Sequence, residues 1–551
     1  MDPPDPKWID LKDVRLWINT CDSEHGEECH PSSPNMERPI WLIDVVQGCI
    51  VPAGQHRYIT LSYVWGGVES AQTTLDNLEQ MQLPGTLDEG DGGEGEERHR
   101  LIIPKTVRHA MGLVKRLGEM HLWVDRFCIC QDDAKTKHAQ LQSMAGIYAN
   151  AYLTIVAADE WDANHGLRGI KGVTRPRDLS PYLTTSEYVD LTDIYSSIWT
   201  FQEDMFSRRK LLFQYQLVRW ECRCDEWHES TGVSGRTPGR GPPPARQRRN
   251  PKVNAMISKG LPENKALMEY FNVVSAYNIR NLTYPEDGLQ AYLGILSQLS
   301  DIFPEGFFWG LPISSFHAAL LWQPRERLKR RHPRAATTDA QTIPSWSWVG
   351  WQGGISGFEF HLPPFGRTLE PMCVWKTMNQ GQVIRPRSTG DELTAAEAYT
   401  SPHHENPLLY TYAPVARAWL EKRDKGSTLD SWAETNYYAK IFEEYLDRTG
   451  CDLIRICPSS DQSDYTTCGA MVLSPGLRDH SEIRKECEFL AISTCKARKK
   501  LFKASPSFEF CYYNVIWIKR KDGVVYRKGL GLILVDAWDA LNPKYEEIVL
   551  G

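Results

Sequence analysis

Between Tyr58 and Ala158 the chain alternates between strand-like and helix-like stretches, and this constrains the fold more than any other feature. Tyr58–Val64 is an apolar run rich in strand formers, closed by Gly66-Gly67. Pro104–Leu117 carries Val107, Ala110, Met111, Val114 and Leu117 at helical spacing, with Pro104 near its first turn and Gly118 as a stop signal. His121–Ile129 reads as strand, Lys135–Tyr148 as helix with Leu141, Met144, Ile147 and Tyr148 inward, and Ala151–Ala157 as strand again. Strand–helix–strand–helix–strand in so short a span predicts an α/β domain, a parallel sheet flanked by helices on both faces.

In open α/β sheets, ligands bind beyond the carboxyl ends of the strands, where connecting loops diverge and helix N-termini point inward. The three expected strands end at Ser62-Tyr63-Val64-Trp65-Gly66, at Asp125-Arg126-Phe127-Cys128 and at Asp159-Glu160. A serine, an aromatic plate, carboxylates and a cysteine are thus expected on one rim. Ser62, Tyr63, Trp65, Gly66, Cys128 and Asp132 are the candidate ligand-binding residues; Asp125 and Glu203 are the candidate catalytic carboxylates. Asp132 and Asp133 precede the second helix, where a carboxylate also caps free N–H groups, so a purely structural reading stands beside the functional one.

Length and composition narrow the class. The 551 residues amount to about three or four domains' worth of chain, and 41% hydrophobic with 24% charged residues is the balance of a soluble globular protein. A net charge of −7 argues against generic nucleic-acid binding. No apolar run approaches the roughly 18 residues of a membrane span, and Met-Asp-Pro-Pro-Asp-Pro-Lys at the start lacks the apolar core of a signal peptide. Fourteen scattered cysteines with no Cys-x-x-Cys pair point to a reducing, cytoplasmic setting rather than a disulfide framework. Nineteen tryptophans, each with an N–H to satisfy, are expected at seams and half-buried faces.

Three segments read as breaks. Gly85–Arg100 holds six acids among five glycines, a solvated insertion. Ser230–Lys252 holds six basic residues with three consecutive prolines, a linker whose charge also fits nuclear import. Pro324–Thr342 is again basic and polar. Lys265–Asn278 and Leu289–Leu299 look helical, and beyond Ser345 the chain is aromatic and β-like. Asn514–Lys519 and Val524–Arg527 flank Lys521-Asp522-Gly523 as a hairpin, Gly529–Asp536 reads as the last strand, and Ala537-Trp538-Asp539 as a capping turn.

Near the start, Cys21, His25 and Cys29 are spaced by four residues and form a candidate metal set, zinc by ligand type. On an unbroken helix the first and last would stand about 12 Å apart, too far for one ion, unless Gly26 bends the chain. The alternative is a capped helix with half-buried thiols. Cys222 and Cys224 sit two apart on an expected strand, so their thiols should face opposite ways. There is no Gly-x-Ser-x-Gly elbow and no Walker-type loop.

Several blocks in order resemble the fungal HET (heterokaryon incompatibility) domain. They are Tyr58 to Gly66; Ile103 to Ala110, Leu122 to Asp125 and Cys128 to Asp133; Met144, Ile147-Tyr148, Asn150-Ala151, Leu153-Thr154-Ile155 and Gly166-Leu167 with Gly169; and Trp199-Thr200 with Gln202-Glu203. The resemblance covers about residues 40–225 and departs at Ser197-Ile198, where an arginine and a small residue are usual. It implies a flavodoxin/TIR-like sheet and a role in allorecognition and programmed cell death. Partners would be other incompatibility or signalling proteins, with self-association among the possibilities. The implied layout is a lead segment at 1–39, the HET domain at 40–229, a linker at 230–252, a helical region at 253–340 and a mixed, β-rich region at 341–551.

Two functional classes follow from the resemblance. Some TIR domains cleave NAD, which would make NAD a substrate, Trp65 a stacking plate, and Asp125 or Glu203 the carboxylate that stabilises an oxocarbenium-like state. Against this, Glu119 is the one glutamate between Arg100 and Glu160, and it precedes the second strand. In the non-enzymatic class, the domain is an oligomerising signalling module and Trp65, Asp125 and Glu203 hold its loops.

Overall fold

The computed structural model describes residues 5–30, 38–88, 101–159, 162–178, 203, 205–229, 263–280, 282, 285–333, 343–357, 368–377, 383–384, 407–422, 451–459, 468–474, 485–499 and 508–551. They belong to two units: Met1–Pro251 with Gln290–Ser297, and Lys252–Leu289 with Gln298–Gly551. Most of the acidic insertion, the whole basic 230–252 segment and 334–342 lie outside the described residues.

The first unit is built on eight strands: β1 (Trp41–Asp44), β2 (Cys49–Pro52), β3 (Ile59–Ser62), β4 (His121–Trp123), β5 (Thr154–Ala157), β6 (Arg209–Gln214), β7 (Leu217–Cys222) and β8 (Glu226–His228). They lie side by side in the order β2-β1-β4-β3-β5-β6-β7-β8. The central four, β4-β3-β5-β6, are parallel, and hairpins β1–β2 and β7–β8 add antiparallel edges. Counted along the chain, the parallel strands run second, first, third, fourth, the doubly wound order of flavodoxin-like sheets, which places a switch point between β3 and β5. Both strands are buried at every position, as sheets covered on two faces require.

The helices are α1 (Leu11–Glu24), α2 (Gly26–Cys29), α3 (Leu78–Met81), α4 (Lys105–Leu117), α5 (Asp125–Cys128), α6 (Ala134–Gln142) and α7 (Met144–Asn150). In α4 local signals and tertiary packing agree. Pro104 is its N-cap, Val107, Ala110, Met111 and Val114 are buried, and Gly118 ends it at φ 87° with its N–H on the Lys115 and Val114 carbonyls. Two expectations are corrected. The strand expected over His121–Ile129 stops at Trp123, and the chain turns into α5, where Phe127 and Cys128 donate to the Val124 carbonyl at 3.0 and 2.7 Å. Every residue of that run except Asp125 is buried, so apolar periodicity carried no information about its period. The helix expected over Lys135–Tyr148 is two helices broken at Ser143, whose hydroxyl returns to the Ala139 carbonyl at 2.9 Å.

The second unit opens with the helix Glu263–Asn278 and is dominated by antiparallel strands. Six of them close a ring: Leu409–Lys422, Asp452–Cys457, Gly469–Leu473, Val524–Leu534, Phe508–Lys521 and Glu486–Lys499, the last pairing back onto the first. Leu420, Ile454, Ile456, Met471, Phe489, Val515, Trp517 and Ile533 pack into one buried cluster with Trp538. The Asp-Gly turn lies where expected: Lys521 pairs with Val524, and Asp522 and Gly523 take φ 52° and 78°, the mirror-image turn that fits strand twist. Gly529–Asp536 is not the last strand. Its strand-forming part continues Val524–Leu534, and Lys544–Leu550 follows the helix Val535–Ala540 and pairs with Leu409–Val415. Several tryptophans expected at half-buried faces are core residues instead. Trp322, Trp346, Trp348 and Trp351 are buried, and their indoles donate to the carbonyls of Trp346, Pro407, Gly310 and Ser345.

Candidate functional site

The rim beyond β3 is built from side chains of four elements. After Ser62, which is buried, the chain leaves the sheet through buried Tyr63 and half-buried Trp65, and Gly66 turns it at φ 61°. The Trp65 indole N–H donates to Asp125 Oδ2 at 2.8 Å, and the Arg126 guanidinium lies 4.2 Å from the centre of the Trp65 ring. Asp125 opens α5, so its other oxygen also accepts the Arg126 N–H at 2.8 Å. Burial lifts the Asp125 carboxyl to about 6, against the pull of these two donors and the charges of Arg126 and Lys137. The Trp65 N–H is thus engaged and one face of its ring is covered, which clamps the loop after β3 to the loop after β4.

Behind the clamp stands Tyr148 of α7. Its hydroxyl is fully buried, hydrogen-bonded to Glu203, and 3.4 Å from the Leu61 carbonyl. Burial and then the charges of Glu203 and Asp125 push its pKa well above the ordinary phenol value. Glu203 and Asp125 therefore act on one phenol from two separate elements. Glu203 is 3% exposed, and its carbonyl ends a line of buried hydroxyls. Ser207 Oγ donates to that carbonyl at 2.5 Å, so it accepts from Thr154 at 2.7 Å, and Thr154 in turn accepts from Thr60 at 2.8 Å. This line crosses β3 and β5, the pair that flanks the switch point.

Ser62, Tyr63, Trp65, Gly66, Asp125 and Glu203 thus come from the strand ends and loops around one rim, whereas Cys128 and Asp132 have other surroundings. The Cys128 thiol accepts the Val124 N–H at 3.3 Å and points to the Leu122 carbonyl, and burial pushes it up to about 12. It holds the β4–α5 turn. Asp132 accepts the Leu75 N–H at 2.8 Å, which holds its carboxyl below the ordinary range, and Asp133 caps α6 through Thr136 N. Asp159 accepts the Tyr215 and Gln216 N–H groups, securing the β6–β7 turn. Trp199, Thr200, Gln202, Ser197-Ile198 and Glu160 lie outside the described residues. Tyr148 and Arg126 were missed as rim residues. Tyr148 was legible only as an inward helical position, because nothing local reports where its hydroxyl ends.

Cys21, His25 and Cys29 also converge. α1 ends at Glu24, Gly26 takes φ 47°, and α2 follows as a separate turn, so the helix is interrupted between Cys21 and Cys29. Cys222 joins them, and the four ligand atoms all lie within 4.8 Å of one another. The expected opposition of Cys222 and Cys224 is corrected. β7 ends at Cys222, the chain turns through Arg223–Asp225, and Cys224 Sγ lies 3.7 Å from Cys29 Sγ.

Residues 58–214 match the family model of the heterokaryon incompatibility protein (HET). A stretch of 109 residues is 29% identical to heterokaryon incompatibility protein 6, OR allele, of Neurospora crassa. That match covers 18% of this chain and 14% of the relative, so it spans well under two thirds of that protein. No solved structure matches. The match to the HET family runs from one residue before β3 to the last residue of β6.

Proposed function

We propose that this chain acts in heterokaryon incompatibility, as a cytosolic effector whose HET domain promotes programmed cell death when unlike cells fuse. The observation that carries the reading is the extent of the HET match, which runs from Tyr58 through the last residue of β6 and takes in the whole parallel core. The rim supports it: Trp65 and Asp125 tie the loops after β3 and β4 together, and Tyr148 of α7 bonds Glu203 in the segment entering β6. In this reading the rim couples those loops to a partner, either another incompatibility protein or a second copy of the chain. Among the described residues no helix is long and apolar enough to cross a membrane, in keeping with action in the cytosol.

Induced expression in a fungal host, scored for viability, tests this. The full chain is expected to kill, and Glu203→Gln to abolish killing at equal abundance and unchanged melting temperature, since the amide keeps the shape and still accepts from Tyr148. Full killing by Glu203→Gln removes Glu203 from the signal. Survival of every strain expressing the unaltered chain, including strains of differing incompatibility type, overturns the reading.

A further inference from the structure

We propose that Cys21, His25, Cys29 and Cys222 bind one structural zinc ion, with Asp225 as the outer carboxylate that orients His25. This site is independent of the rim and of the signalling role.

The donor set fits zinc by type, number and spacing. Three thiolates and one imidazole make a closed tetrahedral site, in which Zn–S of about 2.3 Å and Zn–N of about 2.0 Å put neighbouring ligand atoms roughly 3.5–3.8 Å apart. His25 Nδ1 lies 3.4 Å from Cys222 Sγ, and all four donors fall inside a 4.8 Å span. The soft thiolates select against magnesium and calcium, which take oxygen ligands. All four positions come from the protein, so the ion holds structure and has no open position for chemistry.

The surroundings are built for charged sulfur. His25 Nε2 lies 3.0 Å from Asp225 Oδ2, an arrangement that fixes the Nδ1 lone pair toward the ion. The Asp225 N–H points at Cys222 Sγ at 3.2 Å and the Arg223 N–H at Cys29 Sγ, each a donor that a thiolate accepts better than a thiol. Trp227 stacks on the His25 ring with centroids 5.6 Å apart and planes 13° apart, walling one side from water. Loading the site converts three thiols to thiolates and releases three protons, leaving a net charge of −1 on the ion and its ligands. Arg208 donates to the Glu27 and His30 carbonyls, which flank Cys29 in the chain, and so brings a cation to the α2 backbone.

The ion would fasten the lead segment to the far edge of the sheet. α1 and α2 precede the HET domain, and Cys222 closes β7 just after it, so one coordination sphere joins residues nearly two hundred positions apart. The same contact surface carries Arg209 on Asp22 at 2.6 Å and Tyr152 on Asp22 at 2.7 Å, placing the ion at one end of an already docked seam.

The full chain, purified under reducing conditions from cells grown with zinc, should carry one zinc per chain by elemental analysis. Cobalt exchanged into it should give the intense thiolate absorption of a tetrahedral site. Cys222→Ser and Cys29→Ser should lose the metal, Cys224→Ser should keep it, and Asp225→Asn should bind about 10- to 100-fold more weakly. Because the cysteine variants could misfold, the cobalt spectrum of the unaltered protein decides separately. Metal-free protein that takes up neither zinc nor cobalt overturns the proposal. So does metal retained by Cys222→Ser and lost from Cys224→Ser, or a Cys29–Cys224 disulfide in protein kept anaerobic and reduced.

Discussion

Replacing Asp125 by asparagine isolates the electrostatics of the rim, because the amide keeps the shape and cannot ionise. In the folded chain, burial raises the Asp125 carboxyl from its ordinary 3.8 to about 6. The sign follows from linkage: a carboxyl raised on folding contributes stability that is complete below its unfolded value and is lost as pH rises through its folded value. At about 1.4 kcal/mol per tenfold change in proton affinity, the rise from 3.8 to 6 amounts to at most roughly 3 kcal/mol. Solvent reaches part of the half-buried side chain, so the measured value should fall below that bound. The variant also loses one hydrogen bond, since its NH₂ group faces the Trp65 N–H or the Arg126 N–H, at a cost of about 0.5–1.5 kcal/mol while the carboxyl it replaces is neutral. Asp125→Asn should therefore be clearly less stable than the unaltered chain at pH 4, and the gap should narrow or reverse by pH 8. Hydrogen exchange of peptides spanning β3 and β4 reads the opening of this unit alone, and comparing the two proteins at each pH cancels the intrinsic exchange rate. A difference that stays constant within about 0.5 kcal/mol from pH 4 to pH 8 would refute the reasoning and place Asp125 in water.

Two further predictions concern elements outside the clamp. Thr154→Val keeps side-chain volume but leaves Thr60 and Ser207, both buried, without their shared partner; the first unit should lose about 1–3 kcal/mol by the same exchange measurement, and adding Thr60→Val should recover part of it. Gly523→Ala meets open space, so its effect is purely that of a φ of 78°; thermal unfolding of the second unit should drop by about 1–2 kcal/mol equivalent, whereas an unchanged transition would show that the turn relaxes at no cost.

Legibility in the sequence followed the range of the physical signal. The helix over Lys105–Leu117 could be read because its proline start, apolar stripe and glycine stop all act within a turn or two. The Asp522-Gly523 hairpin was legible for the same reason, since the turn conformation is a property of those two residues. The α5 turn was not, because an apolar run buried on all sides has no polar face to reveal its period. The rim was anticipated from a general rule about strand ends, yet Tyr148, bonded to Glu203 and within the field of Asp125, was not, since a phenol hydrogen bond leaves no trace in local pattern.

The sequence by itself determined the parallel α/β core and the strand ends that carry Ser62, Trp65 and Asp125, and it marked Gly26 as the place where a shared ligand set would need a bend, since each rests on backbone preferences and apolar spacing over a few residues. Only the tertiary structure decided that Arg126 folds over Trp65, that six distant strands close a ring, and that Cys222 joins Cys21, His25 and Cys29. Those are meetings between residues tens to hundreds of positions apart. They depend on how buried surfaces dock, and no short stretch of chain encodes that docking alone.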